Sequence, residues 1–116
     1  MKLLIIGSRS IKRFDLSPYI SVDVDTIISG GACGIDRLAE QYADAHHLSK
    51  YIVIPRYDLY GRAALPRHNE YMVDMADAVL AVWDGRSNGT QYILCYARSI
   101  KKPITLIQLA PPSLFL

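Results

Sequence analysis

Residues 25–46 restrict the fold more than any other part of the chain. Residues 25–29 are a short apolar run with two adjacent isoleucines, which predicts a buried strand. A Gly-Gly-Ala-Cys-Gly turn at residues 30–34 follows directly. Residues 36–46 then space their apolar side chains by three and four positions, as one face of an amphipathic helix does. A strand, a glycine turn and a helix in immediate succession indicate an α/β unit.

The rest of the chain repeats this alternation of strands and helices. Apolar runs predict further strands at residues 2–6, 51–54, 78–83 and 104–109, and helical spacing covers residues 67–75 and 90–100. Residues 56–66 have no clear period, so we expect a loop there. The alternation predicts one α/β domain over residues 1–116, with an open parallel sheet and right-handed crossovers.

Composition and charge argue against several classes of protein. The hydrophobic fraction of 51% and the charged fraction of 21% are those of a soluble globular domain. A net charge of +2, with scattered lysines and arginines, argues against a nucleic-acid partner. Two cysteines without metal-ligand spacing predict reduced thiols, a cytoplasmic location, and no metal or cofactor. No apolar run reaches the length of a membrane span or a signal peptide, so we expect no membrane partner.

Small and polar residues follow three of the predicted strands. The carboxyl ends of parallel strands share one edge of the sheet, which is where ligands bind in open α/β folds. Glycines let a ligand approach the backbone, and a helix that begins there directs unpaired N–H groups at a phosphate or carboxylate. For each loop alone, the alternative is a tight turn that binds nothing. The candidate ligand-binding residues of these loops are Gly7, Ser8, Arg9, Gly30, Gly31, Ala32, Gly34, Asp36, Asp84, Ser87, Asn88, Gly89 and Thr90.

Several of these side chains have two interpretations. Arg9 either pairs with a phosphate or is solvated. Asp36 either accepts a ribose hydroxyl or stabilises the positive end of its helix dipole. Ser87 and Thr90 either donate hydroxyls to a phosphate or cap a helix. A further polar group either covers the sugar or base of the ligand or forms an exposed loop and helix start: Tyr60, Arg62, Arg67, His68 and Asn69.

A series of short motifs resembles one known superfamily. The motifs are, in order, Gly7-Ser8-Arg9, Ser-Gly-Gly-Ala-x-Gly-x-Asp at residues 29–36, Tyr60-Gly61-Arg62-Ala63-Ala64, Asn69-x-x-Met72, Ala76-Asp77, Trp83-Asp84-Gly85 and Ser87-x-Gly89-Thr90. Together they resemble the small stand-alone bacterial and phage branch of the SLOG superfamily of Rossmann-like domains. The resemblance implies a three-layer sandwich with a five-stranded, mostly parallel sheet in the order 3-2-1-4-5. It also implies a pocket for a nucleotide or nucleotide-derived ligand, such as an ADP-ribose-like molecule. Our leading hypothesis is therefore a domain that binds or processes such a ligand, for example as a sensor.

The same superfamily contains the LONELY GUY-type phosphoribohydrolases, which split a nucleoside monophosphate into its base and ribose 5-phosphate. The arginine, lysine and glutamate of their pattern fall on His68, Asn69 and Ile93 of this chain. Cleavage builds positive charge on the ribose, which a carboxylate stabilises, so the missing glutamate favours ligand binding over hydrolysis. The spacing selects no replacement among the remaining carboxylates, Asp36, Glu40, Glu70 and Asp84, and the catalytic residue of such an enzyme is unassigned.

Two other hypotheses come from different classes of function. The DNA-processing protein A family shares the implied fold, which would make the chain a DNA-binding module, although its charge is mild. The apolar residues 110–116 end in Leu114-Phe115-Leu116 and predict either docking on the domain or assembly into a homo-oligomer.

Overall fold

The computed structural model describes residues 1–109. Its strands are β1 (Lys2–Gly7), β2 (Thr26–Ser29), β3 (Ser49–Ile52), β4 (Ala78–Trp83) and β5 (Ile104–Gln108). Its α-helices are α1 (Ile35–Ala45), α2 (Tyr57–Tyr60), α3 (Ala64–Met75) and α4 (Asn88–Ser99), and 3₁₀ turns cover Ser17–Tyr19 and Gly61–Ala63. The predicted apolar tail, residues 110–116, lies outside the described residues.

The five strands form one sheet in the order β3-β2-β1-β4-β5, and every neighbouring pair is parallel. This confirms the predicted α/β class and strand order. The central strand β1 pairs with β2 on one side and with β4 on the other. The strand order therefore reverses between β1 and β4. In an open parallel sheet, the crevice at the carboxyl ends of two such strands is where a ligand binds.

Helices cover both faces of the sheet and make three layers. On one face, Leu4 and Ile6 of β1 pack in a buried cluster with Met72 of α3 and Leu94 of α4. On the other face, Ile5 joins a second cluster with residues of α1. Alternate side chains of β1 thus point into two different cores. This is why its sequence is a continuous apolar run.

The third strand begins and ends two residues earlier than the apolar run at 51–54 predicts. Its register is set by pairing with β2, from Thr26 opposite Ser49 to Ser29 opposite Ile52. β3 is an edge strand and its four residues are exposed. The sequence therefore has no pattern of buried apolar residues that would show where this strand begins and ends. The apolar residues after it instead begin the segment that leads to α2.

Residues 56–66 were expected to be a loop, and that prediction was wrong. They contain α2, a 3₁₀ turn and the first residues of α3. Pro66 lies in the first turn of α3, where the backbone nitrogen needs no partner within the helix. A proline there is compatible with the helix, although in the sequence it resembled the end of a loop.

Candidate functional site

The loops after β1, β2 and β4 meet at the carboxyl edge of the sheet. The Ser8 amide donates to the Val82 carbonyl oxygen (3.1 Å), and the Ile35 amide donates to the Ser8 carbonyl oxygen (3.4 Å). The buried Ser8 hydroxyl accepts the Asp84 amide at 2.9 Å. Ser8 therefore joins all three loops. It was predicted to bind the ligand, but in the structure it supports the loops and does not line the cavity between them.

Gly34 allows two of these loops to touch. Its φ of +75° is one that L side chains rarely adopt. A Cβ added there would lie 2.5 Å from the carbonyl oxygen of Ser8 and 2.7 Å from the Cα of Arg9. Gly34 is thus required for the close approach of the β1 and β2 loops. It is the residue immediately before α1.

A cavity of about 390 Å³ opens where the three loops converge. We call it the glycine-loop cavity. The predicted site residues that line it are Gly7, Arg9, Gly30, Gly31, Ala32, Asp36, His68, Asn69, Ser87, Gly89 and Thr90. Residues distant in sequence are therefore brought to one cavity at the switch point between β1 and β4.

The first turn of α4 forms one wall of this cavity through Gly89 and Thr90. Ser87 precedes the helix in an extended conformation, and among the described residues no side chain caps the helix start. The Thr90 hydroxyl lies 3.4 Å from the Ser87 hydroxyl rather than on a backbone amide. A Cβ added at Gly89 would meet no atom within 4 Å. The exposed backbone at this helix start is therefore open to the cavity.

Asp36 brings a desolvated carboxylate to the cavity. Its Oδ2 accepts the Ala32 amide at 3.1 Å, so the side chain binds back to the glycine turn. Burial raises the pKa of Asp36 to about 6; the Ala32 hydrogen bond opposes this shift, the nearby Glu40 adds to it, and His68 and Arg9 reduce it. Among the described residues lining the cavity, Asp36 is the one carboxylate.

His68 and Asn69 form the opposite wall from α3, and both are buried. The His68 Nε2 hydrogen-bonds to the Val53 carbonyl oxygen, and its Nδ1 lies 3.1 Å from the Asn69 Oδ1. The ring is therefore fixed between α3 and the end of β3. A Cβ added at Gly30 would lie 3.0 Å from the Asp36 Oδ2 and 3.2 Å from the His68 Cε1. These two side chains thus flank the glycine turn.

A second cavity of about 540 Å³ adjoins the first, and we call it the tyrosine–arginine cavity. It is lined by Val53, Ile54, Arg56, Tyr60, Ala64, Arg67, His68, Glu70, Tyr71 and Asp74. Ile54 and His68 line both cavities. The guanidinium carbon of Arg67 lies 4.8 Å from the centre of the Tyr60 ring. Two predicted site residues, Tyr60 and Arg67, therefore belong to this neighbouring cavity.

The remaining predicted site residues line neither cavity. The Asp84 carboxylate accepts the amides of Arg86 and Ser87 at 2.8 and 2.9 Å, and these hydrogen bonds lower its pKa. It therefore shapes the loop before α4. Arg62 is exposed in the middle of a 3₁₀ turn and Asn88 is exposed at the start of α4, and neither side chain is among those that line the two cavities.

Sequence reasoning missed several apolar residues of the glycine-loop cavity: Ile6, Ile54, Pro55, Tyr57, Leu65, Met72 and Ile93. Ile54 and Tyr57 are each 61% exposed. Tyr57 and Leu65 belong to residues 56–66, where large side chains without a helical or strand period were the available signal for this wall. Ile93 contributes an apolar side chain to the cavity.

A search against models of protein families finds no match. No solved structure matches the chain either. Among curated proteins, the uncharacterized SPbeta prophage-derived protein YoqJ of Bacillus subtilis (strain 168) is 34% identical over 62 residues. The match covers 53% of this chain and 36% of that protein. The chain is thus similar to part of a prophage-derived protein whose name assigns no activity.

Within residues 1–109, no group of three or more His, Cys, Asp or Glu side chains is placed to hold a metal ion. Over the same residues, none of the helices is both long and apolar enough to cross a membrane.

Proposed function

We propose that this domain binds a nucleotide or nucleotide-derived ligand, a nucleoside phosphate or an ADP-ribose-like molecule, and acts as a sensor of it. The phosphate would occupy the glycine-loop cavity. The observation that carries the proposal is the convergence of three strand-end loops on one cavity, with an open helix start in its wall.

The chemistry of the cavity suits a phosphate. Backbone N–H groups at a helix start, together with the helix dipole, favour an anion. Arg9 lines the cavity from the loop after β1 and adds a cation that pairs well with phosphate oxygens. The cavity volume also lies within the range of small-molecule sites.

The apolar Ile93 supports binding without hydrolysis. A glycosidic bond breaks through a cationic ribose, and a carboxylate near that ribose would stabilise it. Asp36 is the specific observation that keeps the hydrolase as a second candidate, because its carboxylate lines the cavity and its pKa of about 6 allows proton transfer near neutral pH. In that case Asp36 would replace the glutamate missing at Ile93.

A thermal-shift experiment tests the proposal and separates the candidates. The protein is heated with AMP, ADP-ribose, NAD or single-stranded DNA, and each mixture with a nucleotide is then chromatographed for free base. A nucleotide at one hundred times its dissociation constant adds about 2.7 kcal/mol to the free energy of unfolding. Stabilisation without free base is the expected result, whereas release of base makes the hydrolase correct. Absence of stabilisation by every nucleotide contradicts the proposal, and stabilisation by DNA alone favours a DNA-binding module.

A further inference from the structure

We infer that the tyrosine–arginine cavity is the base subsite of the same ligand, and that it takes a planar ring bearing an amino group, as in an adenine nucleotide. This inference rests on the proposed function, because it assumes a phosphate in the glycine-loop cavity.

The two cavities adjoin each other at a wall that they share. Ile54 and His68 line both of them. The hydrogen bond from His68 to the Val53 carbonyl oxygen fixes the imidazole in this shared wall. In this inference, a ligand whose phosphate lies by the glycine turn extends along Ile54 and His68 and places its other end in the second cavity.

The second cavity offers a surface for stacking. Tyr60 is 46% exposed, although it is a large aromatic residue, and the Arg67 guanidinium lies over its ring. Tyr71 lines the same cavity and is 58% exposed. Aromatic rings and guanidinium planes are the protein groups on which nucleobases stack. A planar heterocycle is thus the natural occupant.

The charges of this cavity favour an amino group over a second phosphate. The Glu70 and Asp74 carboxylates line the cavity. Each accepts a tyrosine hydroxyl from α4 through one of its oxygens, Glu70 from Tyr92 and Asp74 from Tyr96. The other oxygen of each carboxylate can accept an N–H group, since an ionised carboxylate is an acceptor with two oxygens.

Arg56 does not shift this balance towards an anion. Its guanidinium already forms a two-point contact with Asp58, at 3.0 and 2.9 Å. Besides the Arg56–Asp58 pair, the lining of the cavity therefore combines two carboxylates with one cation, Arg67, that lies on an aromatic ring. A second phosphate would face these carboxylates, whereas an exocyclic amine would donate to them.

Calorimetric titrations with AMP, IMP and ribose 5-phosphate test this inference. Ribose 5-phosphate carries the phosphate without a base, and IMP replaces the amino group of AMP with an oxo group. Tyr60→Leu removes the ring, Tyr60→Phe restores it, and Arg67→Gln removes the cation. The matched controls are Tyr51→Leu, at an exposed tyrosine that lines neither cavity, and Arg98→Gln at the end of α4.

We expect Tyr60→Leu and Arg67→Gln to weaken AMP binding about tenfold, as the loss of one stacking contact does, and to leave ribose 5-phosphate unchanged. Tyr60→Phe and both controls should bind AMP as the unmodified protein does, and IMP should bind more weakly than AMP. Unchanged AMP affinity in Tyr60→Leu, or an equal loss for AMP and ribose 5-phosphate, overturns the base subsite and leaves the proposed function intact. If the unmodified protein binds none of the three probes, the proposed function fails and this inference fails with it.

Discussion

Gly89 gives a prediction in which binding is lost while stability is kept. It lies in the first turn of α4, lines the glycine-loop cavity, and has no atom within 4 Å of the position that a Cβ would take. A side chain can therefore be added without a clash in the fold. The same side chain would enter the space that we assign to a phosphate.

The two effects can be estimated separately. Alanine in place of a helical glycine stabilises a protein by about 0.5–1 kcal/mol, so Gly89→Ala should not lower the free energy of unfolding. Gly89→Leu places a branched side chain over the amides at the helix start. Loss of two hydrogen bonds to a charged phosphate, each worth at least about 1.5 kcal/mol, weakens binding by roughly 100-fold.

Urea denaturation and calorimetry measure these effects on the same samples. Unfolding is followed by the fluorescence of Trp83, which is the single tryptophan of the chain. Binding is measured with AMP. The matched control is Gln91→Leu, which adds the same side chain to an exposed position of the same helix outside the cavity.

The expected result is no loss of stability in any of the three variants and loss of AMP binding in Gly89→Leu alone. AMP affinity equal to that of the unmodified protein in Gly89→Leu would refute the phosphate position. A loss of more than about 1 kcal/mol in Gly89→Ala would refute the claim that this backbone faces open space.

Two further predictions concern the residues that support the cavity. Asp36→Asn should raise the free energy of unfolding at pH 7.5 by up to about 3 kcal/mol, because the native carboxyl has a pKa of about 6 and its ionisation there opposes folding. This gain should disappear as the pH falls from 6 towards 4, where the native carboxyl is protonated. Urea denaturation of both proteins at pH 7.5 and at pH 4 checks this prediction. An equal gain at the two pH values contradicts it. Ser8→Ala should cost about 1–3 kcal/mol, because the Asp84 amide loses a buried partner. Ser10→Ala, which removes an exposed hydrogen bond to the Asp84 carboxylate, should cost less than about 0.5 kcal/mol, and similar losses in both variants would contradict the role of Ser8.

The sequence predicted the central part of the fold well because local patterns there agree with burial. The apolar runs at β1 and β4 are buried on both faces, and the helical spacing after Gly34 matches the buried side of α1. Glycine and serine at three strand ends were enough to expect one shared edge, since all strands are parallel.

Features that depend on distant contacts were not predictable in this way. The limits of β3 follow from its pairing with β2, and an exposed edge strand carries no burial pattern. The contact of His68 with the Val53 carbonyl oxygen and the position of Arg67 over Tyr60 depend on how α3 packs beside the sheet. For this reason the sequence offered a single group of loop residues where the structure has two adjoining cavities.

An amide-resolved NMR titration tests the central claim most directly. In a ¹⁵N-labelled sample of this 116-residue protein, the backbone amides of residues 30–32 and 87–90 report on the glycine-loop cavity. On addition of AMP, we expect the largest chemical-shift changes at these amides, and ribose 5-phosphate should reproduce them. An absence of shifts with both compounds, or shifts confined to β5 on the opposite edge from β3, would contradict the account.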